Sequence, residues 1–263
     1  SMSGCCRGRY LASLETRNIK VMRIPGEFNF SKLNNWAVAQ SNADAVCLLN
    51  NDIEAVDDMW LEEMLSRLAG PDVRAVGALL YTPRGIVQDG GVVLGPGLVA
   101  DHAFTDRRYG DPGYTDLLKV AHQCSSVTAA CLATRREDYL NIGGLDEIRF
   151  PIDFNDVDYC LKLRSQGKRV VFSPDARLIH LESASRGHMT MTSNILRRAV
   201  SNLRGKWLEA LTGDPFYSPI LALDGVPYSA LAWPPRDLSP RTSDAPAPVL
   251  MLLGHLRQIP VEV

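Results

Sequence analysis

The run Ala45-Val46-Cys47-Leu48-Leu49 is apolar at every position and is followed at once by Asn50-Asn51-Asp52. An apolar run without alternation predicts a strand covered on both faces, as in a largely parallel sheet. A polar triplet straight after such a strand lies beyond the C-terminal edge of the sheet, where open α/β sheets bind ligands. A carboxylate there can join a hard divalent cation that also contacts a diphosphate. Asn and Asp are also ordinary turn residues, so the triplet by itself reads as a turn.

The surrounding pattern is alternating. A β-branched stretch from Lys20 to Ile24 ends at Pro25-Gly26 and reads as a short strand. Ser31 is placed to cap a helix carrying Leu33, Trp36 and Ala37. Leu61, Met64, Leu65 and Leu68 mark one face of a second helix, which Gly70-Pro71 stops. Further strands are expected near 74–81, 92–94, 127–133, 169–172 and 178–181. A Gly-, Asp- and Arg-rich stretch over 95–114 reads as a long surface loop. A longer helix over 191–211 buries Leu196, Val200, Leu203, Trp207 and Leu211. Strands alternating with short amphipathic helices predict an α/β domain.

Composition narrows the partners. Lys and Arg number 28 against 30 Asp and Glu, a net charge of −2, which excludes a strongly basic nucleic-acid binder. No apolar run reaches the roughly 18 residues of a membrane helix. Cys5, Cys6, Cys47, Cys124, Cys131 and Cys160 form no CxxC pair. Three of them lie in apolar stretches and read as small hydrophobes, which fits a reduced cytoplasmic compartment. Ser1 ahead of Met2 reads as a cleavage scar outside the fold. After Trp233 the prolines at 234, 235, 240, 246 and 248 read as a linker. The run 249–253 then reads as a strand opening a further domain.

Two more segments carry chemistry or its plain alternative. Asn155-Asp156-Val157-Asp158 opens a helix ending at Gly167. Asn155 is placed to cap it, and its acids suit the positive end of the helix dipole. The same position would also offer Asp156 as a general base to a substrate hydroxyl. His180 closes an apolar strand and precedes Glu182-Ser183-Ala184-Ser185-Arg186-Gly187, a loop able to wrap a phosphate.

Taken in order, Asn50-Asn51-Asp52, the stretch 127–147 ending in Gly143-Gly144-Leu145-Asp146-Glu147, the stretch 155–187 and Asp214 to Leu223 resemble the family 2 glycosyltransferases, of GT-A fold. The likeness runs from about Lys20 to Pro235. It implies a mixed, mainly parallel sheet flanked by helices over residues 1–235, lacking the family's first strand–helix–strand unit, with 236–263 as linker and start of a further domain. It further implies Mg²⁺ or Mn²⁺ on Asp52 and His180, with Asp156 as catalytic base. Lys32, Asn35, Asn50, Asn51, Asp52 and Arg186 would line the nucleotide-sugar donor, and Gly144, Asp146 and Glu147 the acceptor. Asn155 stands where the family carries Glu, and the Gln-x-x-Arg-Trp motif of processive synthases is absent.

The resemblance therefore implies an inverting, non-processive transferase moving a hexose or deoxyhexose onto a glycan or lipid-linked glycan of a surface polysaccharide. Arg197, Arg198, Arg204 and Lys206 would then offer a peripheral contact to the inner membrane face. The absent N-terminal unit carries a second reading, a non-catalytic GT-A-like binding module. It also predicts an open sheet edge and self-association, with 249–253 as a candidate added strand. A nucleotidyltransferase is disfavoured because no Gly-rich phosphate loop opens the chain.

Overall fold

The computed structural model describes residues 19–181 and 194–236. Its strands are β1 (Ala45–Leu49), β2 (Ile53–Ala55), β3 (Val73–Tyr81), β4 (Val87–Asp89), β5 (Val92–Leu94), β6 (Ala100–His102), β7 (His122–Gln123), β8 (Cys131–Arg135) and β9 (Arg169–His180). Its helices are α1 (Phe30–Ala39), α2 (Trp60–Leu68), α3 (Arg136–Asn141), α4 (Asn155–Ser165) and α5 (Asn194–Thr212). Seven strands form one mixed sheet in the order β1-β8-β3-β9-β2, with β4 beside β3 and β7 beside β9. The parallel pairing is between β3 and β9, the two longest strands, and the other neighbours run antiparallel.

β3 sets the layers, because alternate residues of a strand face opposite sides. Ala75, Leu79 and Tyr81 join one core cluster with Tyr159, Cys160 and Leu163 of α4. Val76, Ala78 and Leu80 join another with Met64 and Leu68 of α2. Burying a large apolar side chain contributes about 1.5–3 kcal/mol, so the fully buried Met64 is the main anchor of α2. Leu61 and Leu65, expected on the same stripe, are more than a third exposed, because nine residues of helix present only a narrow face to the sheet. Cys131 and Cys160 are fully buried and, like Cys47 and Cys124, free thiols.

Several local expectations are corrected. Residues 20–24 form no strand. The cap of α1 is Asn29, whose side chain accepts from Lys32 N, while Ser31 is buried and donates to Phe150 O. β1 pairs, among the described residues, only with β8, and antiparallel; only Leu48 of it is buried. Its apolar run reflects an edge position with partial cover. The strand expected over 127–133 begins only at Cys131, since residues 129–130 form a turn and the buried Val127 packs over Gly77 of β3. The strands expected at 169–172 and 178–181 are one, β9, which absorbs Pro174 at a register shift opposite Ala78 and Leu79. The loop expected over 95–114 contains β6, paired with β5, and the buried Phe104. α5 buries Ala199, Leu203 and Leu211. Arg186 and the run 249–253 lie outside the described residues.

Candidate active site

β2 and β9 bring the first pair together. Ile53 pairs with His180, and Leu181 N donates to Asp52 O at 2.9 Å, so the triplet's last residue sits beside the end of β9. Asp52 Oδ1 lies 3.1 Å from His180 Nε2, and Asn50 Nδ2 lies 3.3 Å from the same nitrogen. The other ring nitrogen, Nδ1, is 2.7 Å from Gln88 Oε1, an acceptor only. Gln88 Oε1 thus accepts from Nδ1–H and orients the ring, while Nε2 faces the Asn50 amide and the Asp52 carboxylate together. An imidazole nitrogen and a carboxylate this close are donor types that a divalent cation accepts once it displaces their mutual contact. Among the described residues no third His, Cys, Asp or Glu joins them.

Asp156 stands at the second position of α4. The helix begins after Phe154, whose left-handed φ of 59° turns the chain sharply into it. Asn155 is not the cap expected of it: it is the first helical residue, is buried, and donates from Nδ2 to Ile152 O. The Asp156 carboxylate accepts from Ala129 N at 2.9 Å and from Val157 N at 2.8 Å, and Ser126 Oγ donates to Asp156 O at 3.4 Å. One residue beyond Ala129, Ala130 O accepts from Asn50 N at 2.9 Å. The bend 126–130 thus holds the carboxylate of Asp156 and the start of the triplet from consecutive residues.

The loop Gly143–Glu147 is fixed by Asn35. Asn35 Nδ2 donates to Leu145 O and Glu147 Oε1, and Oδ1 accepts from Tyr139 Oη and Leu145 N, so every polar atom of the side chain serves the loop. Gly144 has φ +59°, and a Cβ there would stand 2.4 Å from Asn35 Oδ1, which excludes any larger residue without movement. Its carbonyl accepts from Lys162 Nζ. Burial raises the Asp146 carboxyl, but the Arg149 N–H and guanidinium and the Ile148 N–H outweigh it and hold the group below the usual carboxylate range. Lys32 is exposed on α1, and Asn51 lies in the turn between β1 and β2. Of the expected basic cluster, Arg204 donates to Leu98 O and Lys206 to the fully buried Asp158; Arg197 and Arg198 are exposed.

Sequence reasoning missed Gln88, the backbone of 126–130, and a second carboxylate–imidazole pair, Asp89 with His102. Only the last left a signal, a histidine beside an acid in an otherwise apolar hairpin.

The sheet and the helices on it match the GT-A glycosyltransferase fold. A solved structure of GalNAc-T7 with UDP, GalNAc and Mn²⁺ superposes with a TM-score of 0.61 at 15% identity, covering 83% of this chain and 43% of that one. In sequence the chain is 42% identical over 210 residues to the uncharacterized protein y4gI of Sinorhizobium fredii. It is 40% identical over 200 residues to the O-antigen biosynthesis protein RfbC of Myxococcus xanthus. These matches take in 79% and 74% of this chain but only 23% and 15% of the two relatives. No family model matches the chain.

Proposed function

We propose that this chain is the transfer domain of a metal-dependent, inverting glycosyltransferase that uses a nucleotide sugar and a glycan hydroxyl in surface-polysaccharide assembly. The observation that carries this reading is the shared anchoring of the Asn50–Asp52 triplet and Asp156 on one bend, with His180 turned toward Asp52. Similarity to the O-antigen biosynthesis protein RfbC supports the pathway class, and the Mn²⁺ and UDP of the structural neighbour support the choice of cofactor and donor.

Asp52 and His180 would hold Mg²⁺ or Mn²⁺. Such an ion neutralises charge that builds on a departing nucleoside diphosphate. Asp156 takes the proton of the acceptor hydroxyl as that oxygen attacks the anomeric carbon from the face opposite the leaving group. The N–H groups of Ala129 and Val157 keep its carboxylate aimed. We assign Asn35 to positioning the loop of Gly144, Asp146 and Glu147 on the acceptor side. Lys32, Asn50, Asn51 and Arg186 are assigned to the donor, and the exposed Arg197 and Arg198 to a lipid-linked acceptor's membrane surface.

The test is release of nucleoside diphosphate from UDP-, GDP- and dTDP-sugars with Mn²⁺ and a polysaccharide acceptor. Acceptor-dependent release that disappears in Asp156→Asn supports the transferase. Nucleotide binding without release supports a binding module, and neither overturns both.

A further inference from the structure

We propose that His102 is a second acceptor-binding group, donating from Nε2 to a hydroxyl of an uncharged sugar while Asp156 takes the proton of another hydroxyl on the same molecule. The proposal rests on the transferase reading of Asp156.

His102 and Asp156 are joined by a short series of pairings. His102 pairs with Val92 across β5 and β6, Val92 pairs in turn with Ser126, and Ser126 Oγ donates to Asp156 O. Two strand spacings, about 10 Å of backbone, therefore separate His102 from the bend that holds the base. The imidazole is oriented from behind. Its Nδ1 lies 2.7 Å from Oδ1 of Asp89, a carboxylate 1% exposed, whereas the His102 side chain is 45% exposed. No hydrogen bond from Nε2 is found among the described residues, so the ring offers one satisfied edge to the protein and one open edge outward.

Charge decides what that open edge can take. Burial alone would pull the imidazole toward its neutral form. The hydrogen bond and charge of Asp89 on β4 outweigh it, helped by Asp156 on α4 and Asp101 on its own strand, and raise the group to about 9. At neutral pH the ring is thus a charged donor and does not compete with Asp156 for the substrate's proton. Three carboxylates surround this single cation, so an acceptor bringing a further negative charge is repelled. A neutral polyol meets an acceptor-only group, Asp156, and a donor-only group, His102, and satisfies both.

The test uses the whole chain with His102→Gln and Asp89→Asn. A lost charged hydrogen bond predicts an acceptor KM about 10- to 100-fold higher in His102→Gln, with the donor KM unchanged. Asp89 acts through His102. In Asp89→Asn the acceptor KM should therefore become pH-dependent, rising as pH passes the ordinary histidine value of about 6.5. Methyl glucoside should compete with acceptor and methyl glucuronide should not. An unchanged acceptor KM in His102→Gln, or stronger competition by the glucuronide, overturns the proposal. If the wild type transfers nothing, the transferase reading fails by itself, and ¹⁵N NMR of the His102 ring judges the binding group separately. A shift on adding methyl glucoside supports it, and an unmoved resonance up to the solubility limit overturns it.

Discussion

Asp52 Oδ1 and His180 Nε2 lie 3.1 Å apart although 128 residues separate them in the chain. The antiparallel pairing of Ile53 with His180 produces this meeting, so the pair is as rigid as the β2–β9 ladder itself. Gln88, on β4, fixes the ring that β9 delivers.

If that pair holds the metal, Mn²⁺ should raise the melting temperature in the presence of the matching nucleoside diphosphate more than either ligand does alone. Saturation at about 100 times Kd corresponds to about 2.7 kcal/mol. Asp52→Asn and His180→Ala should each abolish the Mn²⁺-dependent part in a thermal-shift series, and a retained shift would remove the pair from the metal site.

Asp156→Asn should lower transfer by about 10² to 10⁴ while keeping an amide oxygen to accept from Ala129 N. Far-UV circular dichroism and urea midpoint should stay near wild type. Loss of stability in proportion to activity would instead mark Asp156 as a helix-start residue only.

Gly144→Ala should cost about 1–3 kcal/mol, because the new Cβ meets Asn35 Oδ1 and the φ of +59° is strained for alanine. Asn35→Ala in the same background should recover part of the loss, since it removes the colliding atom. Urea denaturation of the two single variants and the double variant checks the coupling.

Asp158 is fully buried and binds Lys206 Nζ at 2.6 Å and Trp207 Nε1 at 2.7 Å, tying α5 to α4. Asp158→Ala strands a lysine and an indole N–H. A cost of about 3–5 kcal/mol is expected from the urea midpoint.

The sign of the pH effect at His102 follows from its raised value. Its folded-state affinity for a proton exceeds that of the unfolded chain. The stability it contributes is therefore complete below about 6.5 and lost as pH rises through about 9. Asp89→Asn should flatten stability over that interval, measured as urea midpoints from pH 6 to 10.

Those residues were legible to different degrees from sequence. Asp52, Asp156 and His180 stand out because polar groups interrupt apolar runs at strand ends and a helix start. Gln88 does not, because a single glutamine in a hairpin carries no periodic signal. Propensity favours Asn155 as the cap of α4, whereas Phe154, in the left-handed region one residue earlier, holds that position. β9 was divided at Pro174 because proline ordinarily ends a strand. A register shift opposite Ala78 and Leu79 lets the strand continue, which sequence alone does not encode. The resemblance places Asn35 on the donor side, whereas the hydrogen bonds of its side chain to Leu145, Glu147 and Tyr139 leave no signal in the sequence.

The bend 126–130 works as a fixed ruler. Because Ala129 N holds the Asp156 carboxylate and Ala130 O holds the Asn50 N–H, two adjacent residues set the spacing between Asp156 and the triplet. It cannot drift with side-chain repacking. Under the proposed roles, variation in acceptor is expected on a part that meets the bend from outside, the β5–β6 hairpin, whose Val92 pairs with Ser126. Exchanging that hairpin between relatives should then change the acceptor without retuning the chemistry.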